Sequence, residues 1–201
     1  MNVRLTYNST VQAGVWYNSA LQMNLYTVSL SMLTHSHNGT DHVICLERIK
    51  YFLETELYST VFIHQDNQSQ IQLLNAAGIN VTTTPLDPID QVIGMLLFAK
   101  LNSIMENKIS VMDLDIVSDL GAQVHFHHSA LESTDNIPES GWWYDASPRH
   151  NDIVLSTGRK NVLKMNKPIS WKMLELDWED TDHAQFESAA ETLMFPSRDD
   201  K

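Results

Sequence analysis

From Val3 to Val117, short β-branched and apolar runs alternate with longer stretches of helical period, and this alternation limits the fold more than any other feature. "VRLTY" (Val3 to Tyr7) reads as a first strand. "SALQMNLYTVSLSMLTHS" follows with Leu21, Leu25, Val28, Met32 and Leu33 at helical spacing. "HVICL" (His42 to Leu46) reads as a buried strand and "RIKYFLETELY" as a short amphipathic helix. "TVFIH" (Thr60 to His64) is a strand, "NQSQIQLLNAAG" a helix stopped by Gly78, and "INVTT" a further strand. Asp87 and Pro88 then open a long helix that delivers the chain into "KISVMDLDIV". Such an order predicts an α/β fold with a mostly parallel central sheet and helices on both faces.

Beyond Gly121 the pattern turns irregular. A histidine-rich piece "QVHFHHS" leads into "ESTDNIPESGWWYDASPRH". A strand "NDIVLS" and a final helix around "DHAQFESAAETLMF" close the chain. The expectation is a single domain over residues 1–195, with 1–121 as a nucleotide-binding half, 122–195 as an acceptor-side half and 196–201 as a frayed tail.

With 43% hydrophobic and 19% charged residues, the chain can bury a sizeable core. Its net charge of -12 repels phosphates, which argues against a broad nucleic-acid footprint. The single Cys45 excludes an intramolecular disulfide framework and any multi-cysteine zinc site. There is no apolar run of the ~18 residues that a membrane span requires, and "MNVRLTYNST" has no signal-peptide h-region. A reducing, cytoplasmic compartment is the default expectation (host cytoplasm, for a viral chain), with the sequons at Asn8, Asn38, Asn67 and Asn80 left unglycosylated.

Asp113 and Asp115 stand where the apolar run "ISVM" ends. In an open parallel sheet, ligands sit beyond the carboxyl ends of the strands. With a period of two, both carboxylates leave one face and can converge on a hard cation, Mg²⁺ or Mn²⁺. Such an ion would neutralise a diphosphate leaving group. The bland alternative is a solvated strand-to-loop junction.

The order strand, helix, strand, helix, then "MDLDIV" resembles a compact glycosyltransferase of the GT-A type, carrying a DxD motif. "GMLLFAKLNSIMENKISVMDLDIV" is similar to the stretch leading to DxD, and "RHNDIVLSTGRKNVLKM" to a later strand of such enzymes. The resemblance implies a nucleotide-diphospho-sugar transferase-like fold, a UDP- or GDP-linked donor, an unknown acceptor and Mn²⁺ or Mg²⁺. It implies that Asp113 faces the ribose or the metal and that Asp115 ligates the metal. Thr6, Tyr7 and Asn8 would then meet the base and ribose. Lys100, standing where the family usually has an arginine, would balance the diphosphate.

Other residues have both a functional and a bland reading. His127, with His125 on its strand face, could complete the metal site; His128 lies on the opposite face, and His150 and His183 are alternatives. Trp142, Trp143 and Tyr144 could stack an acceptor sugar or anchor a protein partner, or one ring could plug the core. Asp145, Asp152 and Asp182 are candidate catalytic bases. Lys100 reads equally as a snorkelling lysine. The methionines read as packing.

Three function classes follow. The first is a metal-dependent glycosyltransferase. The second is a haloacid dehalogenase-type phosphatase with Asp113 as nucleophile and Asp115 as acid/base. The third is a non-catalytic accessory or binding protein, microbial or viral, on a reduced nucleotide-sugar fold.

Overall fold

The structure, a computed structural model, describes residues 4–35, 38–122, 124–132, 137–149 and 169–178. The strand "NDIVLS", the final helix, the tail, Asp152, Asp182, His150 and His183 all lie outside the described residues.

The chain opens not with a strand and a helix but with a long hairpin. β1 (Arg4–Tyr17) pairs antiparallel with β2 (Ala20–Thr34) along its whole length. A two-residue turn joins them, with Asn18 at φ 50 and Ser19 at φ 62. Two positive φ values are what a tight hairpin with native twist demands. α1 (Gly39–Tyr51) follows, capped by the Asn38 side chain, which accepts from the Thr40 N–H at 3.0 Å. It runs on into a π-helical turn (Phe52–Glu56). Then come β3 (Val61–His64), α2 (Gln68–Ala76), β4 (Val81–Thr84), α3 (Asp90–Met105), β5 (Ile109–Ser118) and β6 (His125–Ser129). Two 3₁₀ turns, Trp142–Tyr144 and Trp171–Leu174, complete the described elements.

All six strands form one sheet in the order β4-β3-β1-β2-β5-β6. Parallel pairing is confined to β3 with β4, and to Gly14–Trp16 of β1 with Val61–Ile63 of β3. The pairs β1/β2, β2/β5 and β5/β6 are antiparallel. This is a mixed sheet dominated by antiparallel ladders. It overturns the expected mostly parallel GT-A sheet, and with it the glycosyltransferase resemblance.

The physical reason lies in β2. Tyr26, Val28, Leu30 and Met32 are buried at a period of two, while Leu21, Met23 and Leu25 are exposed on the other side. Apolar residues on both faces let the same stretch be counted at helical spacing, but only the inward set packs against helices. "HVICL", expected as a strand, belongs to α1, which buries Ile44, Cys45, Arg48 and Ile49.

The core lies on one side of the sheet. α1, the π turn and α3 cover the inward side chains of β1, β2 and β5, among them Val11, Ala13, Val28, Leu30, Leu114 and Ile116. α2 packs on the opposite face, over Val61, Ile63 and Val81, with Trp16 of β1 at the margin of the same cluster. Helices therefore flank both faces only around β3, β4 and the Trp16 end of β1, while the rest of the outward face of β1, β2, β5 and β6 has no helix over it among the described residues.

Candidate functional site

The uncovered sheet face gathers many of the residues singled out above. Thr6, Ser31, Asp113 and Ser129 form one cross-strand row, and Asn8, Ser29, Asp115 and His127 form the next. Asp113 and Asp115 are mid-strand residues, because β5 continues to Ser118. Their alternation with the buried Leu114 and Ile116 is the signature of a one-sided sheet, which a linear reading takes for the end of a strand. A bulge beside them shifts the register between Ser31 and Met32.

The two carboxylates are already paired. Arg4 Nη2 lies 2.9 Å from Asp113 Oδ2, and His127 Nδ1 lies 2.9 Å from Asp115 Oδ1. His127 Nε2 is also 3.9 Å from Asp113 Oδ1. The hydrogen bond to Asp115, reinforced by both carboxylate charges, raises the His127 pKa. Among the described residues, no group of three or more His, Cys, Asp or Glu side chains could hold a metal ion. The cluster is a solvated ion-pair network on a flat surface.

The other candidates sit elsewhere. Tyr7 points inward and its hydroxyl donates to Glu54 at 3.0 Å. Lys100 is fully buried in α3, and its Nζ donates to the carbonyls of Asp145, Ser147 and Arg149 at 2.7, 2.9 and 3.2 Å. Burial lowers its pKa to about 8, against the raising pull of Asp145 and Glu56. The Asp145 carboxylate accepts from the Ser147 N–H and hydroxyl.

Trp143 is buried against Val92, Leu96, Ala99 and Ile137, and its indole N–H donates to the Pro138 carbonyl. Trp142 is partly buried and donates to the Thr83 carbonyl of β4. Tyr144 is exposed beside them. His128 is buried on the inward face and His125 is exposed.

A concave site does exist, at a place the sequence reading missed. Taking ~3.3 Å per strand residue and ~1.5 Å per helix residue, the hairpin is about twice as long as α3. Its turn end therefore overhangs the start of that helix and leaves a cleft of about 440 Å³, within the range of about 300–1,000 Å³ usual for small-ligand sites. The walls are Val15, Tyr17, Asn24 and Tyr26 from the hairpin, Ile89, Asp90 and Gln91 from the entry to α3, and Gly121, His125 and Phe126 from the β5–β6 side.

Three features polarise this cleft. Ile89, the residue before α3, gives no side-chain cap, so first-turn N–H groups remain for solvent or a ligand. The Asp90 carboxylate is fixed by the Ser118 hydroxyl at 2.6 Å, and that hydroxyl also accepts the Gly121 N–H at 2.9 Å. A Cβ at Gly121 would collide with the Asp90 carboxylate, so glycine is required there. Asn24 Oδ1 accepts the Leu120 N–H at 3.1 Å, closing the same corner.

Tyr26 is 2% exposed, and its buried hydroxyl meets no hydrogen-bond partner of good geometry. Burial raises this phenol well above its ordinary pKa; a loose side-chain hydrogen bond from Asn24 pulls it down and the Asp90 charge pushes it up. The hydroxyl keeps its proton at neutral pH and lies buried just behind the cleft wall that the rest of Tyr26 helps to line. No residue in the sequence announces it, since Tyr26 sits in an apolar run and Asp90 reads only as a helix start.

No family model matches this chain, and no curated protein matches it. Among solved structures it is similar to the uncharacterized protein WS1659 from Wolinella succinogenes, at 11% identity and a TM-score of 0.47, covering 65% of this chain and 99% of that one. It is also similar to 6-pyruvoyl tetrahydropterin synthase from Plasmodium vivax, at 12% identity and a TM-score of 0.41, covering 64% and 99%. The synthase from Plasmodium falciparum gives 13%, 0.40, 64% and 98%.

Two of these three are named as enzymes, and none as a glycosyltransferase. Likeness at this level assigns no substrate or residue here. The nucleotide-sugar donor, the dehalogenase-type phosphatase and the reduced nucleotide-sugar fold all fall with the sheet order. Among the described residues, no helix is long and apolar enough to cross a membrane.

Proposed function

We propose that this chain binds a small, flat nitrogen heterocycle carrying an amino group, seated in the cleft between the hairpin and the start of α3. The observation that carries this reading is the buried Tyr26 hydroxyl behind the cleft wall, whose proton meets no acceptor of good geometry among the described residues. An unsatisfied buried donor costs a folded protein about 1–3 kcal/mol, and its persistence points to a partner supplied from outside. The Tyr26 O–H calls for a ligand acceptor. The fixed Asp90 carboxylate beside it calls for a ligand donor, so the matching edge alternates acceptor and donor. Val15, Ile89 and Phe126 supply apolar walls that suit the faces of a ring. Asp90 and His125 are the titratable groups placed to exchange a proton with such a ring.

The test is calorimetric titration of the full chain with aminopyrimidines, aminopurines and pterins. At least one is expected to bind with saturable heat, and Tyr26→Phe is expected to weaken it about tenfold, the loss of one directed hydrogen bond. Absence of heat across the panel, or binding indifferent to Tyr26→Phe, would rule the reading out.

A further inference from the structure

β1 is far longer than its neighbour on the β3 side. Only Gly14–Trp16 pair with β3, which leaves the β3-facing edge from Arg4 to Val11 without a strand partner among the described residues. The Gly14 N–H donates to Thr60 O and the Gln12 carbonyl accepts the Ser59 N–H, both on the β3 side. Even-numbered residues therefore turn their N–H and C=O groups away from β2. The N–H and C=O groups of Thr6, Asn8 and Thr10 accordingly face an open edge.

Natural edges are commonly guarded by lysine, proline or a bulge. This stretch has no Lys or Pro, its pairing with β2 is unbroken, and its Arg4 is engaged by Asp113.

A groove of about 550 Å³ runs beside that edge, lined by Asn8, Ser9, Thr10, Thr27, Glu54 and Tyr58. Tyr58 is 57% exposed and offers an apolar ring. Glu54 is exposed, accepts from Tyr7 and Ser9, and keeps the groove negative together with nearby Glu47. We infer that this edge docks an extended, basic segment of a partner protein, which adds to β1 as a strand. Backbone pairing supplies the affinity, Glu54 selects a cationic side chain, and Tyr58 covers an apolar one.

The probe is a fluorescently labelled octapeptide of alternating lysine and valine, read by anisotropy against the full chain. A glutamate–valine octapeptide and a lysine–valine peptide N-methylated at alternate residues serve as controls. Binding is expected for the plain basic peptide alone, because N-methylation removes backbone donors without touching the protein. Asn8→Pro deletes an N–H that points at the open edge and leaves the bonds to β2 in place. It is expected to weaken binding about tenfold or more at an unchanged melting temperature. Glu54→Gln keeps the Tyr7 bond and should flatten the salt dependence.

Equal binding of the acidic or N-methylated peptide, or no binding of the basic one, overturns the inference. So does a dimer that sediments as such and is dissolved by Asn8→Pro, which would give the edge to a second copy. Ligand binding in the α3 cleft is read separately and is untouched by either result.

Discussion

Replacing Tyr26 by phenylalanine should stabilise the unliganded protein, which is the reverse of what most core substitutions do. The ring lies edge-on to Phe62, with centroids 6.3 Å apart and an interplanar angle of 84°. Phenylalanine keeps that contact and the rest of the packing. It removes only a buried hydroxyl whose proton has no acceptor of good geometry and whose contact with Asn24 is loose. The desolvation cost of such a group is about 1–3 kcal/mol, so a gain of about 1–2 kcal/mol is expected. For a chain of this length each kcal/mol moves the melting temperature by roughly 2–4 °C. Calorimetric melting should therefore rise by about 2–8 °C. The urea midpoint should rise with an unchanged m-value, since the surface exposed on unfolding is the same. With a cleft ligand present the order should invert, because wild type then gains a hydrogen bond that the variant cannot make. A fall in the unliganded midpoint would mean that the hydroxyl is satisfied within the fold, and the case for an external partner would fail.

Three further outcomes follow. Lys100 loses its proton near pH 8 when folded but near 10.5 when unfolded, so between those values the unfolded chain binds more protons and stability rises with pH, by up to about 1.4 kcal/mol per unit. Cys45 opposes this above pH 9, since burial raises its thiol from 9.0 to about 12, and Tyr7 and Tyr51, raised from 10.0 to about 12, oppose it above pH 10; stability to urea should thus rise from about pH 8 to 9, level off to about pH 10 and fall beyond, and Lys100→Met should abolish the rise. Gly121→Ala should cost about 1–3 kcal/mol by driving a Cβ into Asp90, and should weaken any cleft ligand; thermal melts and titration read both. Arg48→Lys should cost about 2 kcal/mol or more, because a lysine cannot reproduce the guanidinium's bonds to Ile104 O, Leu176 O and Glu106. A red shift in tryptophan emission should accompany the loss, since the guanidinium lies over the Trp178 and Trp171 rings at 3.9 and 4.7 Å.

What could be read from the sequence was the part built from local signals. β3, α2 and β4 follow from a βαβ pattern, and Gly78 at φ +77 closes α2 as its sequence suggests. α3 and β5 were legible from length and apolar content. The hairpin was not, because its turn is Asn18–Ser19 rather than a glycine pair, and because exposed Leu21, Met23 and Leu25 blur the period of β2. The Asp113–Asp115 pair stands out in the sequence but at the wrong place in the fold, since polar residues on the open face of an antiparallel sheet look like the end of a buried strand. Nor could the cleft be read: its corner joins Asn24 to Leu120 and Asp90 to Ser118, partners 96 and 28 residues apart.

The aromatic, irregular C-terminal third reads in sequence as a surface for ligands, and two buried cations explain why its described parts are structural. Segments without strands must still satisfy their carbonyls. Here Lys100 of α3 collects those of Asp145, Ser147 and Arg149, and Arg48 of α1 takes that of Leu176. Trp143 fills the space over α3, while the Trp171 and Trp178 rings both lie against the guanidinium. A buried charge left without such partners would cost several kcal/mol, so neither cation is free to meet a phosphate. Among the described residues, these two buried cations are thus spent on folding. The acids that would hold a metal are paired with Arg4 and His127. The far end of the sheet, by contrast, stays open and polarised where the hairpin outruns α3, and there the Tyr26 hydroxyl still has a proton to donate.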